Sequence, residues 1–200
     1  MTEPAIPPVV LEGDYVRLEP LSLHHLEALC EVGLDDTLWQ WIPKPILSQS
    51  DMRAYIDAAL AGQQAGRMLP FATVERASGR VVGSTRFGAI DLANRRLEIG
   101  WTWIARPWQR TAVNTEAKLL MLRHAFKMLG CHRVEFKTDS LNEPSRNAIL
   151  RLGAKQEGIF RKHIVTASGR LRDSVYFSII DDEWPAVEAG LRKKLASYPG

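Results

Sequence analysis

Long hydrophobic runs, clustered cysteines and blocks of basic residues are all missing from this sequence of 200 residues. No apolar stretch approaches the roughly 18 residues that a membrane-spanning helix needs, so we expect no membrane association. The first ten residues, MTEPAIPPVV, have neither the basic segment nor the apolar segment of a secretory signal peptide. These absences favour a cytoplasmic protein.

Cysteine is scarce, and its placement argues against disulfides and metal sites. Cys30 and Cys131 lie far apart, and neither has a metal ligand at a useful spacing. The five histidines show no ligand spacing either. We therefore expect free thiols in a reducing compartment and no bound metal.

The charge balance is slightly basic, with a formal net charge of +3 and a pI of about 9.0. Such a balance raises the question of nucleic-acid binding. Lysines and arginines are spread along the chain with acids between them, and no recognition motif appears. We expect no specific nucleic-acid partner; a mildly basic surface explains the charge, and a site for a polyanionic small ligand is the sharper alternative.

Length and composition favour one folded domain. With 46% apolar and 24% charged residues, the chain has an ordinary composition for a soluble globular protein with a sizeable core. We see no internal repeat, linker or low-complexity tract. We predict a flexible segment at residues 1–12, an α/β domain at 13–183 and a C-terminal helix at 184–200.

The hydrophobic patterns predict strands and helices in a mixed order. Strands are predicted at 14–21, 68–75, 81–90, 97–105, 132–139, 154–165 and 173–180. Helices are predicted at 21–34, 51–66, 115–129, 142–153 and 182–196. A meander of antiparallel strands followed by crossover helices indicates a mixed, mostly antiparallel α/β (α+β) sheet in a single domain.

The stretch WQRTAVNTEAK, residues 108–118, leads into a buried helix without the glycines of common phosphate-binding loops. The first N–H groups of a helix are free and lie at the positive end of its dipole, so they can bind an anion. Thr111 and Asn114 add side-chain donors, and Arg110 adds a positive charge. An ordinary helix capped by Thr111 or Asn114 is the simpler interpretation of this loop alone.

The strand LEIGWTWIA, residues 97–105, has three unusual features. Gly100 in mid-strand indicates a bulge or the close approach of another chain or a ligand. In a regular strand Trp101 and Trp103 share one face with Ile99, and a bulge would alter that alternation; core packing explains the two tryptophans. Glu98 is either a desolvated general base or a solvent-facing acid.

The segment TDSLNEPSRNAILRLGA, residues 138–154, predicts a capped helix. Asn142 stands at the cap position, with Pro144 in the first turn. Ser145 in the same turn is either structural or a proton donor. No Ser/His/Asp order or nucleophile elbow makes it a nucleophile.

Taken together, these segments resemble the GNAT acetyltransferases, and among them the RimJ/RimL-like branch. The ordered set RLEPL, IGWTW, NTEAK, RVEFKTDSLNEPSRNAILRLGAKQEGIFRKH and RDSVYFSI carries the resemblance, which extends from about Val16 to Trp184. It implies a splayed sheet flanked by helices, with a V-shaped opening that takes the pantetheine arm of acetyl-CoA, the acyl donor. No metal is implied.

The resemblance also implies which residues bind acetyl-CoA. Backbone atoms around Trp101 and Trp103 pair with pantetheine, and the following loop holds the pyrophosphate. The corresponding loop residues are Gln109, Arg110, Thr111, Ala112, Val113, Asn114 and Thr115. Ala112 and Asn114 replace small residues of the family pattern. A positive φ at Ala112 would add strain of order 1 kcal/mol, whereas the helical conformation that we expect there adds none.

The family reaction is direct attack of an amine on the thioester, without a covalent enzyme intermediate. By resemblance, Glu98 is the candidate base, a backbone N–H near Trp101 the oxyanion donor, and Asn142 a residue that positions acetyl-CoA. Ser145 is the candidate acid for the departing thiolate, and Tyr176 in the last hairpin is the alternative.

The acceptor stays open between a protein N-terminal amine and a small amine. Its pocket is expected in the variable early helices, from about Asp35 to Gly66, where Trp39, Trp41 and Tyr55 line a cleft or merely pack. A catalytically degenerate acyl-CoA-binding protein of the same fold is the alternative function. The oligomeric state is also open, with a homodimer among the alternatives.

Overall fold

The computed structural model describes residues 6–42 and 44–198, and within these ranges it contains eight strands and five α-helices. The strands are β1 (Leu11–Glu12), β2 (Val16–Pro20), β3 (Leu69–Glu75), β4 (Val81–Asp91), β5 (Arg96–Ile104), β6 (Arg133–Asp139), β7 (Lys155–Val165) and β8 (Leu171–Ile180). The helices are α1 (Leu26–Gly33), α2 (Gln49–Gln64), α3 (Ala112–Arg123), α4 (Glu143–Leu152) and α5 (Trp184–Leu195).

All eight strands join one sheet in the order β1-β2-β3-β4-β5-β6-β8-β7. Every neighbouring pair is antiparallel except β5 and β6, which run parallel because α3 crosses over between them. The predicted mixed, mostly antiparallel α/β sheet is therefore confirmed. No helix within the described ranges has the length and apolarity to span a membrane.

The helices cover both faces of the sheet and so create two apolar layers. On one face α1 and α2 pack around Leu29, Met52 and Ile56. On the other face α3, α4 and α5 enclose the larger core, to which the first residue of α5, Trp184, contributes a fully buried ring. The C-terminal helix, predicted as a separate segment, thus shares the core of the domain.

Local capping explains where several helices begin and end. Ser48 caps α2 by accepting the N–H of Asp51, and Asn142 caps α4 as predicted. Gly153 ends α4 with a φ of +102°, a conformation that other residues rarely adopt. The helix predicted at 115–129 begins earlier, at Ala112, and its last turn is a wider π-type turn over 124–128.

The end of the predicted flexible segment 1–12 forms a strand. Residues 1–5 lie outside the described residues, but Leu11 and Glu12 pair with β2 as strand β1. The buried carboxylate of Glu116 on α3 accepts the backbone N–H groups of residues 14–16 at 2.6–2.9 Å. This tertiary anchor, invisible in the local pattern, holds the chain where it enters β2.

Both cysteines are free, as predicted. Cys131 is buried, and burial raises the pKa of its thiol to about 11. A thiol with so high a pKa stays protonated near neutral pH and is a poor nucleophile. The structure therefore gives Cys131 a packing role.

Candidate active site

The sheet opens between its two parallel strands. Pairing of β5 with β6 is limited to three residue pairs and ends at Glu98 and Glu135. Beyond that point β6 continues alongside β8 as far as Asp139, whereas β5 turns away with β4. The gap between residues 99–104 and 136–139, called the sheet opening below, leaves backbone hydrogen-bonding groups of β5 without a strand partner.

A β-bulge at Trp101 marks the start of the sheet opening. Gly100 lies opposite Arg86 and Trp103 opposite Ser84, so two residues of β5 face one residue of β4. Trp101 itself takes a positive φ of 50°. The bulge that Gly100 was expected to indicate is therefore present, one residue further along.

The bulge corrects the predicted faces of the strand. Trp101 and Trp103 do share the side of the sheet that α1 and α2 cover. There the ring centroids of Trp103 and Trp39 lie 5.3 Å apart. Ile99 was expected beside them but lies in the opposite core, against α3. An extra residue in the strand shifts the alternation by one, which local sequence patterns cannot locate.

Side chains hold the bulge from both faces of the sheet. On the α2 side the Tyr55 hydroxyl lies 3.4 Å from the carbonyl oxygen of Trp101. On the α3 side Lys118 Nζ donates to the hydroxyls of Thr102, at 2.6 Å, and Thr85, at 3.2 Å. Burial lowers the pKa of Lys118 to about 7. The conformation at the edge of the sheet opening is thus fixed by tertiary contacts.

The Trp101 indole lies flat against β4. A Cβ atom at Gly88 would come within 2.4 Å of the ring, so only glycine permits this position. The cationic groups of Arg86 and Lys137 lie 5.2 and 5.6 Å from the ring centroid. These distances allow cation–π attraction, which helps to orient the indole beside Glu98.

Glu98 is a buried carboxylate with one charged partner. It is 4% exposed, and its Oε2 accepts a hydrogen bond from Lys137 Nζ at 2.7 Å. Burial raises the pKa of Glu98, while the charge of Lys137 opposes that increase. The absence of a side chain at Gly100 gives the carboxylate room, since a Cβ there would lie 2.7 Å from Oε1. Glu98 is therefore not the solvent-facing acid of the two alternatives, and its role as a general base stays a prediction.

The loop between β5 and α3 resolves the question of the missing glycines. Ala112 is the first helical residue and has no positive φ; the positive φ of 62° belongs to Arg110. Alanine at position 112 therefore costs no backbone strain. The Gln109 side chain shapes the loop by donating to the carbonyl oxygen of Ile104 at 2.8 Å.

The N-terminus of α3 is partly capped from within. The Thr111 hydroxyl donates to the Trp108 carbonyl and accepts the N–H of Val113, so this hydroxyl is already engaged. Among the described residues, the N–H groups of Ala112 and Asn114 have no such acceptor. They provide donors for an anion at the positive end of the dipole.

Two other predicted cofactor residues differ in their surroundings. Asn114 has a buried Oδ1 atom with no hydrogen-bond partner among the described residues. This oxygen accepts hydrogen bonds, so any contact from the Asn114 side chain to a phosphate would have to come from its amide NH2 group. Thr115 instead turns towards the end of the chain, where its hydroxyl lies 3.3 Å from that of Tyr198. A contact from the Thr115 side chain to a ligand at the loop would compete with this pair.

The two candidate acids lie on different elements. Ser145, in the first turn of α4, donates its backbone N–H to the Asn142 side chain at 3.1 Å, as the capping interpretation predicted. Tyr176 lies on β8 opposite Lys137, and therefore on the same face as Glu98. Its ring packs 4.3 Å from that of Phe160.

A cavity of about 290 Å³ lies between the α1–α2 connection and the β7–β8 hairpin. Its lining includes Trp39 and, from the hairpin, Ser168 and Arg170. Of the early aromatic residues, Trp39 both lines this cavity and packs 6.4 Å from Tyr55. Trp41 does not line it.

Sequence reasoning missed four residues of this region, namely Arg86, Gly88, Lys118 and Lys137. The alternation of Arg86 and Gly88 along one face of β4 was visible in the sequence. Its meaning was not, because it depends on the indole that crosses from β5. Lys118 lies in a strongly apolar helix, and a charged residue at such a position could have indicated a buried polar contact.

Comparison with known proteins agrees with this architecture. The model of the acetyltransferase (GNAT) domain family matches residues 16–155. An uncharacterized N-acetyltransferase of Bacillus licheniformis, p20, is 30% identical over 179 residues, which cover 87% of this chain and 97% of that protein.

Solved structures give the same result. A GCN5-related N-acetyltransferase from Brucella melitensis is 34% identical, with a TM-score of 0.89 over 97% of this chain and 88% of its own. Mycobacterium smegmatis RimJ, solved with CoA-disulfide, is 26% identical, with a TM-score of 0.79 over 94% of this chain and 92% of its own. The predicted resemblance is confirmed: the chain belongs to the GNAT acetyltransferase family, with RimJ among its structural neighbours, and is an acyltransferase.

Proposed function

We propose that this protein transfers an acetyl group from acetyl-CoA to a primary amine, by direct attack in a ternary complex. The observation that carries the proposal is one arrangement within the sheet opening. Glu98 is a buried carboxylate of β5 and lies where β5 and β6 separate. The N-terminus of α3 lies just beyond the end of the same strand.

The residues present fit acetyl-CoA. Backbone groups of β5 around Trp101 and Trp103, which have no strand partner on the β6 side, suit the amides of pantetheine. The free N–H groups of Ala112 and Asn114 and the exposed guanidinium of Arg110 suit the pyrophosphate. Asn142 is the further residue that we expect to position the cofactor. The CoA derivative bound by Mycobacterium smegmatis RimJ supports this assignment.

In the proposed reaction the amine loses its proton to Glu98, directly or through a water molecule. The raised pKa of Glu98 makes it a stronger base than an exposed glutamate, while the charge of Lys137 favours its ionised form. A backbone N–H near Trp101 donates to the oxygen of the attacked carbonyl. The thiolate of coenzyme A then leaves and takes a proton from Ser145 or Tyr176.

The alternative, a degenerate acyl-CoA-binding protein, was motivated by the missing glycines. The helical conformation of Ala112 weakens that motive, because no glycine is required there. The acceptor is a protein N-terminal amine or a small amine. RimJ among the neighbours supports the first.

The direct test is release of free thiol from acetyl-CoA with a panel of small amines and N-terminal peptides. Titration calorimetry with coenzyme A, run in parallel, measures binding alone. We expect binding together with turnover of at least one acceptor. Binding without turnover of any acceptor supports the degenerate binder, and the absence of both refutes the proposed site.

Matched variants identify the acid. If Ser145 protonates the thiolate, Ser145→Ala lowers kcat while Tyr176→Phe leaves it near that of the wild type. The reverse result assigns the role to Tyr176. Equal kcat values in all three proteins would show that neither hydroxyl is the acid.

A further inference from the structure

An arginine of β4 is buried without a charged partner. Arg86 is 3% exposed, and its Nε and Nη2 atoms have no hydrogen-bond partner among the described residues. Its Nη1 atom has only a weak acceptor, the Met68 sulfur, at 3.6 Å. Buried guanidinium groups are normally paired with carboxylates or fully hydrogen-bonded, so this one requires an explanation.

Aromatic rings account for part of its environment. The Arg86 guanidinium carbon lies 4.5 Å from the centroid of the Tyr55 ring and 5.2 Å from that of Trp101. Such contacts stabilise a cation through the faces of the rings. They do not satisfy the N–H groups in the guanidinium plane, which are the groups that bind carboxylates in pairs.

Two buried carboxylates at the sheet opening are already engaged by other cations. Glu98 is paired with Lys137 at 2.7 Å, and Asp139 is hydrogen-bonded by Arg170. Among the described residues, neither carboxylate pairs with Arg86.

The position of Arg86 relative to Glu98 suggests what its partner is. Arg86 on β4 lies opposite Gly100 on β5, and Glu98 is two residues before Gly100. Arg86 and Glu98 are therefore diagonal neighbours on the same face of the sheet. In an antiparallel pair the backbones of such diagonal neighbours are about 7–8 Å apart. Two side chains placed in this way on one face can contact the two ends of one small molecule, with its amine at Glu98 and an anionic group at Arg86.

We propose that Arg86 binds a carboxylate of the acceptor, so that the preferred acceptor is a primary amine with a carboxylate a few bonds away. This inference rests on the proposed acetyltransferase function. Two sources share that chemistry: a free α-amino acid, and a peptide whose N-terminal residue has an acidic side chain.

The test uses acceptor pairs that differ only in the carboxylate: L-alanine against L-alaninamide, and the peptide amide Asp-Ala-Ala-Ala against Asn-Ala-Ala-Ala. Thiol release gives kcat/KM for each. We expect the carboxylate member of one pair to be preferred at least about tenfold, the usual magnitude for a hydrogen-bonded charged partner. The pair that shows the preference identifies the source.

Variants assign the preference to Arg86. In Arg86→Gln we expect the ratio within the preferred pair to fall to near one, chiefly through KM for the carboxylate member. Arg123→Gln, an exposed arginine on α3, is the matched control and should keep the wild-type ratio. If Arg86 has a purely structural role, Arg86→Gln would change kcat/KM equally for both acceptors of the pair. An unchanged ratio of the two kcat/KM values would therefore overturn the proposal.

A measurement on the wild type does not depend on folding of the variant. The acetylated product of the preferred acceptor should inhibit at least about tenfold more strongly than its uncharged amide counterpart. Equal inhibition, or wild-type kcat/KM ratios near one for both pairs, overturns the carboxylate inference but not the acetyltransferase function. Failure of every amine, despite coenzyme A binding, would instead refute the proposed function.

Discussion

Lys118→Met is expected to stabilise the protein near neutral pH and to lose that effect in alkali. Burial lowers the pKa of Lys118 from 10.5 to about 7 in the folded protein. In the unfolded chain the lysine stays charged up to about its ordinary pKa. Between these two pH values the unfolded chain binds more protons, so the free energy of unfolding of the wild type rises with pH across that window.

The magnitude follows from the two pKa values. At about 1.36 kcal/mol for each pKa unit, the difference sets an upper limit of about 5 kcal/mol for the cost of Lys118 at pH 7. Hydrogen bonds to Thr85 and Thr102 stabilise the charged form, so we expect about half of that limit. By pH 10 the cost falls below about 1 kcal/mol, because this pH is close to the ordinary pKa of 10.5 at which the unfolded chain loses the same proton.

Urea unfolding at pH 7 and pH 10 measures this effect in the wild type and in Lys118→Met. The difference in the free energy of unfolding between the two proteins should be about 2 kcal/mol smaller at pH 10 than at pH 7. Lys127→Met, an exposed lysine at the end of the same helix, should show no such change. If the free energies of unfolding of Lys118→Met and the wild type differ by the same amount at both pH values, Lys118 is not neutral in the folded protein and the reasoning fails.

Four further predictions concern the sheet opening and the loop that follows β5. Glu98→Gln should lower kcat/KM by about 10²- to 10⁴-fold while calorimetry still detects coenzyme A. Because the charge of Lys137 opposes the rise in the pKa of Glu98, Lys137→Met should move the acid limb of the pH–rate profile to higher pH; an unmoved limb would contradict Glu98 as the base. Gly88→Ala should displace the Trp101 indole, detectable by its fluorescence, and lower kcat. Ala112→Gly should leave the Kd for coenzyme A unchanged within about threefold, since residue 112 is already helical; much tighter binding would show that alanine strains the loop.

The sequence was sufficient for the fold because its signals are local and mutually consistent. The order of strands and helices, the cap at Asn142 and the terminating Gly153 follow from periodicity and backbone chemistry over a few residues. The prediction was less accurate where a strand depends on a tertiary contact. Strand β1 was not predicted, and it lies beside the segment whose N–H groups are bound by Glu116.

The candidate site was only partly predictable. Glu98, Ser145 and the loop that begins α3 could be named because they stand in a recognisable order along the chain. The partners of Glu98 could not be named. Lys137 is brought to it by pairing of β5 with β6, and the space beside it depends on Gly100.

The sequence by itself therefore determined the elements from β2 onwards and their order, since each depends on residues close together in the chain, and the ordered set of motifs indicated the family. Only the tertiary structure decided how far the parallel strands stay paired, that Trp101 forms a bulge, and that Arg86 is buried with no charged partner among the described residues. These features arise from contacts between residues distant in sequence, such as Tyr55 and Lys118 on either side of β5. A period of two or of 3.6 residues contains no information about such contacts.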